Sequence, residues 1–162
     1  MGVEIERKFL VRDKSVVANL VGTAMRQGYL SVDPERTVRV RVAGLRAFVT
    51  IKGAGSESGA SRAEYEYGIP APDAEELLDR LALRPLIEKT RYRLPAGDLV
   101  WEIDVFRGDN DGLVVAEVEL PSEATEVALP EWIGTEVTGD QRYYNASLVS
   151  RPYRDWDEPP AG

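Results

Sequence analysis

The chain has 162 residues, 43% of them hydrophobic, a formal net charge of −8, and neither cysteine nor histidine. That length and apolar content fit one domain with its own core. The missing residue types exclude disulfides, thiolate chemistry, imidazole bases and imidazole metal ligands, so any metal site must be built from oxygens, which favour Mg²⁺, Mn²⁺ or Ca²⁺.

The acidic balance argues against nucleic-acid binding through phosphates. No apolar run approaches the roughly 20 residues of a membrane helix, and Glu4 and Glu6 interrupt any signal-like start, so a soluble cytoplasmic protein with no membrane partner is expected. The acid is unevenly spread. From Pro121 onward there are eight acids against three bases, whereas the first 120 residues hold 20 acids and 17 bases. Arrangement therefore matters more than the sum.

In chain order, Val3 to Phe9 reads as a strand with Glu4, Glu6 and Lys8 on one face and apolar Ile5 and Phe9 on the other. Carboxylates two residues apart on a strand lie roughly 6.5 Å apart, close enough to converge on a cation, so this segment is half of a metal site. A short helix is expected over Lys14 to Val21, then strands over Met25 to Val32 and Arg36 to Val42, the latter with Thr37, Arg39 and Arg41 alternating with valines. Ala43-Gly44-Leu45 makes a hairpin turn into Phe48 to Lys52, and Gly53 to Gly59 is a flexible loop by composition. Arg62, Glu64 and Glu66 alternate with Ala63, Tyr65 and Tyr67 in the next strand, and Pro72 to Leu83 has helical spacing ended by Pro85. Further strands run from Ile87 to Leu94 (Lys89, Arg91, Arg93 on one face), Asp98 to Phe106 (Glu102, Asp104) and Val114 to Leu120 (Glu117, Glu119). Beyond Pro130, mixed spacing of Trp132, Ile133, Val137, Tyr143, Tyr144 and Leu148 predicts one or two short closing helices. Arg36, Arg46 and Arg107 read as surface residues near turns.

A solvated strand face explains any single charged pair. It does not explain alternation over six or seven strands with sign sorted by strand. Closing these strands into a barrel turns the charges inward, where eight acids and seven bases need water and ions. A polyphosphate with divalent cations meets that need, because guanidinium and ammonium groups hold phosphate oxygens while carboxylates hold metal.

The ordered set Glu4/Glu6/Lys8, Arg39/Arg41, Thr50/Lys52, Glu64/Glu66, Lys89/Arg91 and Glu117/Glu119 resembles the CYTH domain, or triphosphate tunnel metalloenzymes, of the short bacterial type. Asp140-Gln141-Arg142-Tyr143-Tyr144-Asn145 is similar to a closing motif of these members, and Tyr29 matches another of their motifs. The resemblance implies a mainly β, α+β fold: an eight-stranded antiparallel closed β-barrel, or tunnel, with flanking and C-terminal helices. It spans residues 1–150, with a loosely ordered tail over 151–162. It implies Mg²⁺ or Mn²⁺ held by Glu4, Glu6, Glu117 and Glu119, and a small anionic triphosphate held by Lys8, Arg39, Arg41, Lys52, Lys89, Arg91 and Arg93. Glu4, Glu6, Lys8, Glu64 and Lys89 are the residues expected in catalysis, and Glu66, Glu102 and Asp104 are expected to line the tunnel. The expected activity is metal-assisted hydrolysis of inorganic tripolyphosphate to release orthophosphate. A class IV adenylate cyclase and a non-catalytic polyphosphate-binding module are the alternatives, and related small proteins suggest a homodimer.

Overall fold

Period-two segments joined by tight turns build nine antiparallel strands in the computed structural model, which describes residues 2–156. They are β1 (Gly2–Val11), β2 (Gly22–Ser31), β3 (Arg36–Ala43), β4 (Arg46–Gly55), β5 (Ser61–Gly68), β6 (Ile87–Ala96), β7 (Leu99–Arg107), β8 (Val114–Glu119) and β9 (Ile133–Glu136). Two α-helices, α1 (Ala71–Arg80) and α2 (Asn145–Ser150), accompany them. Neighbouring strands run β5-β4-β3-β2-β6-β7-β8-β1, and a β5–β1 pairing closes the eight into the expected barrel.

β1 has two partners on its closing side. Gly2 to Ile5 pair with β5, while Phe9 and Val11 pair with β9. Once β5 diverges, the backbone of β1 beyond Lys8 would have unpaired groups on that side, and β9 supplies partners: the Val137 N–H donates to the Lys8 carbonyl at 2.8 Å. This corrects the reading of Trp132, Ile133 and Val137 as helical, because pairing with a long-range partner overrides local spacing. α2 is the α-helix of that region. The stretch expected to be helical after Lys14 holds a 3-10 turn over Lys14–Val17, and β4 extends to Gly55, leaving a shorter loop than expected.

Inverted polarity demands cover on the outside of the barrel. On one flank, Phe9, Val11, Trp101, Ile103, Ala116 and Val118 are buried under Leu120, Val127, Trp132 and Ile133. Trp101 anchors this cover, meeting Phe9 and Trp132 edge-to-face at 5.6 and 5.5 Å. On another flank, α1 lays Ala74 and Leu78 on Val40 and Ala47. A side chain on Gly28 would come within 2.7 Å of Ala82 and Leu86, so glycine in β2 sets how closely this layer sits.

The inward face also changes character along the barrel. One alternation beyond Lys8, Lys89, Asp104 and Glu117 stand Leu10, Ile87, Phe106 and Val115, and these pack with Tyr29, Leu113, Tyr143, Leu148 and Val149 into an apolar stopper. α2 holds that end closed, with Tyr153 and Trp156 packed on the same cluster. Of the tail expected over 151–162, residues 157–162 lie outside the described residues.

Gly28→Ala should overpack the contact with Leu78, Ala82 and Leu86 and lower unfolding free energy by about 1–3 kcal/mol in urea denaturation. Because position 28 faces outward, the inward charges should be unaffected.

Candidate active site

The barrel encloses a cavity of about 210 Å³ lined by seven carboxylates and seven cationic side chains. Their arrangement follows strand order. Going round the ring, β5, β1, β8 and β7 are adjacent and bring Glu64, Glu66, Glu4, Glu6, Glu117, Glu119 and Glu102. The adjacent strands β6, β2, β3 and β4 bring Lys89, Arg91, Arg39, Arg41 and Lys52, with β2 contributing neutral Tyr29 between the two basic strands. An acidic arc thus faces a basic arc. Lys8 on β1 and Arg62 on β5 are the cations placed inside the acidic arc.

Antiparallel register then pairs charges across strands. Lys8 stands opposite Glu117, and Lys52 opposite Glu64. The Lys8 Nζ lies 3.5 Å from Glu117 Oε1 and donates to the Tyr143 carbonyl at 3.1 Å. Lys52 donates to Glu4 at 2.8 Å and lies 3.5 Å from Glu64. Arg39 reaches Thr50 at 3.1 Å and Glu66 at 3.5 Å through one terminal nitrogen, while its buried Nε has no hydrogen-bond partner.

The carboxylates titrate apart. Burial, then the charges of Glu117 and Glu4, push the Glu6 carboxyl well above its usual range. Burial would raise Glu117 too, but Lys8, the hydrogen bond with Glu6, Arg91 and Lys89 outweigh it and hold that carboxyl well below. The two neighbouring carboxyls are thus driven in opposite directions. Burial also opposes ionisation of Glu4, yet Lys52 wins and lowers it. Burial and the charge of Glu4 raise Glu64.

Beneath the basic arc, fully buried Asp104 accepts from Lys89 at 2.7 Å and from Arg91 at 2.8 and 2.9 Å. Burial, against the pull of Asp104 and with Arg91 and Arg41 adding repulsion, draws the Lys89 ammonium down to about 7. Burial and the neighbouring Arg39 and Arg91 lower the Arg41 guanidinium to about 9. Burial is the main cause of both shifts, and the neighbouring cations add to it, so an entering anion would relieve both groups.

Most of the expected residues meet here, with two departures. Arg93 is 67% exposed and lies 3.8 Å from Glu102 without lining the cavity, since the barrel ends before its position on β6. Asp104 supports the cations rather than lining the cavity. Glu119 lines the cavity but is exposed. Tyr29 is both lining and packed in the stopper. The sequence reading passed over Arg62, whose guanidinium lies 5.0 Å over the Tyr144 ring and 3.9 Å from Glu4, although it shares the alternation of Glu64 and Glu66. It also passed over Gln27, which bridges Arg41 and Asn145 and carries no charge to betray it.

Among the described residues, no three acidic side chains already converge in metal-binding geometry. The donor set nevertheless fits a hard divalent cation. Glu6 and Glu117 both line the cavity, their carboxyls are driven in opposite directions by a crowding that such a cation would relieve, and all available donors are oxygens. Glu4 is turned toward Lys52, and Glu119 lies opposite Glu6 across β1 and β8, and both line the same cavity.

Comparison with known proteins accords with this geometry. A protein of Acetivibrio thermocellus named inorganic triphosphatase is 46% identical over 158 residues, covering 98% of this chain and 100% of the relative. A Nitrosomonas europaea protein of the same name is 43% identical over 151 residues, covering 90% of this chain and 96% of the relative. The crystal structure of an inorganic triphosphatase superposes with a TM-score of 0.63 at 39% identity, covering 90% of this chain and 96% of that one. A Pyrococcus furiosus structure at 20% identity, with a TM-score of 0.59 and coverage of 75% and 80%, shares the fold. The CYTH domain profile matches residues 2–153, and the chain belongs to the CYTH domain family.

Proposed function

We infer that the protein is a triphosphatase that binds inorganic tripolyphosphate in the barrel cavity and hydrolyses a terminal phosphoanhydride, releasing orthophosphate. The observation that carries this reading is the opposition of an acidic arc and a basic arc across one small cavity whose lining holds seven charges of each sign. A bare polyanion would upset that balance by repelling the carboxylates. A polyanion entering with divalent cations preserves it.

Arg39, Arg41, Lys52, Lys89 and Arg91 bind the phosphoryl oxygens, several of them by exchanging a carboxylate or an empty position for substrate. The unpartnered Arg39 Nε is one donor kept for that purpose. Lys8, between Glu117 and the cavity, holds the junction of metal and phosphate. Glu4, Glu6, Glu117 and Glu119 hold Mg²⁺ or Mn²⁺. When bound, the cation neutralises charge on the reacting phosphoryl group and makes water a stronger nucleophile. We assign to Glu64, which lines the cavity and is raised by burial and by Glu4, the role of taking the proton of the attacking water. No covalent intermediate is needed. The stopper closes one end, so the chain of phosphates is held lengthwise against a fixed wall. We assign this activity to residues 1–150.

Purified protein with Mg²⁺ or Mn²⁺ should release orthophosphate from tripolyphosphate faster than from ATP or thiamine triphosphate. Cyclic AMP with pyrophosphate from ATP would identify a cyclase instead, and binding without phosphate release would identify a binding module.

Two substitutions should separate the arcs. Glu6→Gln should lower kcat by about 100-fold or more even at saturating Mg²⁺, the scale of losing one electrostatic stabiliser of the transition state. Arg41→Ala should act chiefly on KM, by about 10- to 100-fold, the scale of a hydrogen bond to a charged group. Unchanged turnover in Glu6→Gln would remove the metal site from the acidic arc.

Chelator-treated protein should gain thermal stability as Mg²⁺ is added, because a cation that binds the folded acidic arc and not the unfolded chain stabilises by mass action. The gain should shrink in Glu6→Gln. A midpoint indifferent to Mg²⁺ in the wild type would show that the carboxylates hold no cation before substrate arrives.

A further inference from the structure

Beside the cavity, six side chains form one hydrogen-bonded chain running from β3 to β7. Arg41 Nε donates to Gln27 Oε1 at 2.9 Å, and Gln27 Nε2 donates to Asn145 Oδ1 at 2.8 Å. Lys89 donates to the same Asn145 oxygen at 3.0 Å and to Asp104 at 2.7 Å, and Asp104 accepts in turn from Arg91. Gln27 is fully buried and has no surface in the cavity, whereas Asn145, the first residue of α2, lines it.

The direction of this chain is dictated at its end. A guanidinium donates and cannot accept, so Gln27 must turn its carbonyl oxygen to Arg41. Its NH₂ group then faces Asn145, which must answer with its own oxygen. The ammonium of Lys89 makes the same demand of Asn145. Both amide orientations thus follow from donor and acceptor chemistry. What remains is the Asn145 Nδ2, a neutral donor with no acceptor in this chain. It is not among the buried unpartnered atoms of the described residues, so it keeps accessible surface, and Asn145 is one of the residues that line the cavity.

We propose that Asn145 is a substrate-binding residue whose Nδ2–H donates to a phosphoryl oxygen beside Lys89, and that Gln27 is the positioning residue that keeps this donor aimed into the cavity. The proposal rests on the triphosphatase reading of the cavity and adds a neutral donor, carried by the C-terminal helix, to a set otherwise made of cations. It differs from a purely structural role for Asn145, which would need only the oxygen that pins α2 to Gln27 and Lys89.

Asn145→Asp separates the two. It keeps an oxygen for Gln27 and Lys89, and aspartate suits the first turn of a helix, so the fold should hold. It also replaces the cavity donor with an acceptor that repels phosphate. Asn145→Ala removes both groups. The expected result is a loss of about 10- to 100-fold in kcat/KM for tripolyphosphate in Asn145→Asp, at least as large as in Asn145→Ala, with the thermal midpoint of Asn145→Asp at the wild-type value. Wild-type kcat/KM in Asn145→Asp with a loss in Asn145→Ala would overturn the donor role. Gln27→Glu tests the positioning role from outside the cavity. It still accepts from Arg41 but meets Asn145 with a second acceptor, so Asn145 must turn its NH₂ away from substrate, and KM should rise; an unchanged KM would overturn it. If the wild type in the same assay releases no phosphate, the triphosphatase reading fails, which is a separate outcome.

Discussion

The structure depends on one constraint: charges turned into the interior of a small barrel must neutralise one another. An unpaired ion in a desolvated interior is strongly destabilising, and removing one partner of a buried pair leaves the other uncompensated. Seven carboxylates and seven cations line the cavity and Asp104 lies buried behind them, so the numbers nearly balance. The charges satisfy the constraint by position through the register that sets Lys8 beside Glu117 and Arg91 beside Asp104. The balance is incomplete in two places. Burial and the charges of Glu117 and Glu4 push the Glu6 carboxyl upward, burial and the neighbouring Arg39 and Arg91 lower the Arg41 guanidinium, and the buried Arg39 Nε has no acceptor. On the proposed function, those are the places that a cation and an anion would relieve.

Turning charge inward moves the hydrophobic problem outward. A conventional barrel buries its apolar face in its own lumen. Here that face lies outside and must be roofed by additional chain. The segment from Leu120 through β9, the 3-10 turn after β1 and helix α1 provide the roof, and Trp101 between Phe9 and Trp132 ties it to the sheet. The apolar stopper returns the lumen to ordinary core packing at one end. Its boundary with the charged section falls one alternation along each strand, at Lys8/Leu10, Lys89/Ile87, Asp104/Phe106 and Glu117/Val115.

A site assembled this way is preorganised. Asp104, Gln27 and Thr50 brace its cations before any anion arrives, and a rigid sheet positions them better than loops would. Lys52 and Arg39 hold Glu4 and Glu66 meanwhile. The charges also satisfy one another without ligand, and in the proposed triphosphatase the exchange of partners would couple anion binding to release of carboxylates for metal.

Much of this was legible in the chain itself. Alternation along β1, β3, β6 and β8 determined which side chains share a face, because the strand period is two whatever the partner. Absence of histidine and cysteine determined that any metal must be held by oxygen. Which strands neighbour which was another matter. Segments far apart in sequence become adjacent only when the barrel closes, and that closure sorts the acids of β5, β1, β8 and β7 from the bases of β6, β3 and β4. The strand β9 escaped the sequence because four residues with helix-like spacing take their conformation from an open edge of β1. Gln27, Arg62 and Asn145 escaped it as functional groups because a neutral amide, or one more arginine, acquires meaning only from what it touches. The sequence by itself determined the kind of charge each strand carries inward, since that is local geometry. Only the tertiary structure decided that the two signs face each other across one cavity, since that is a property of closure.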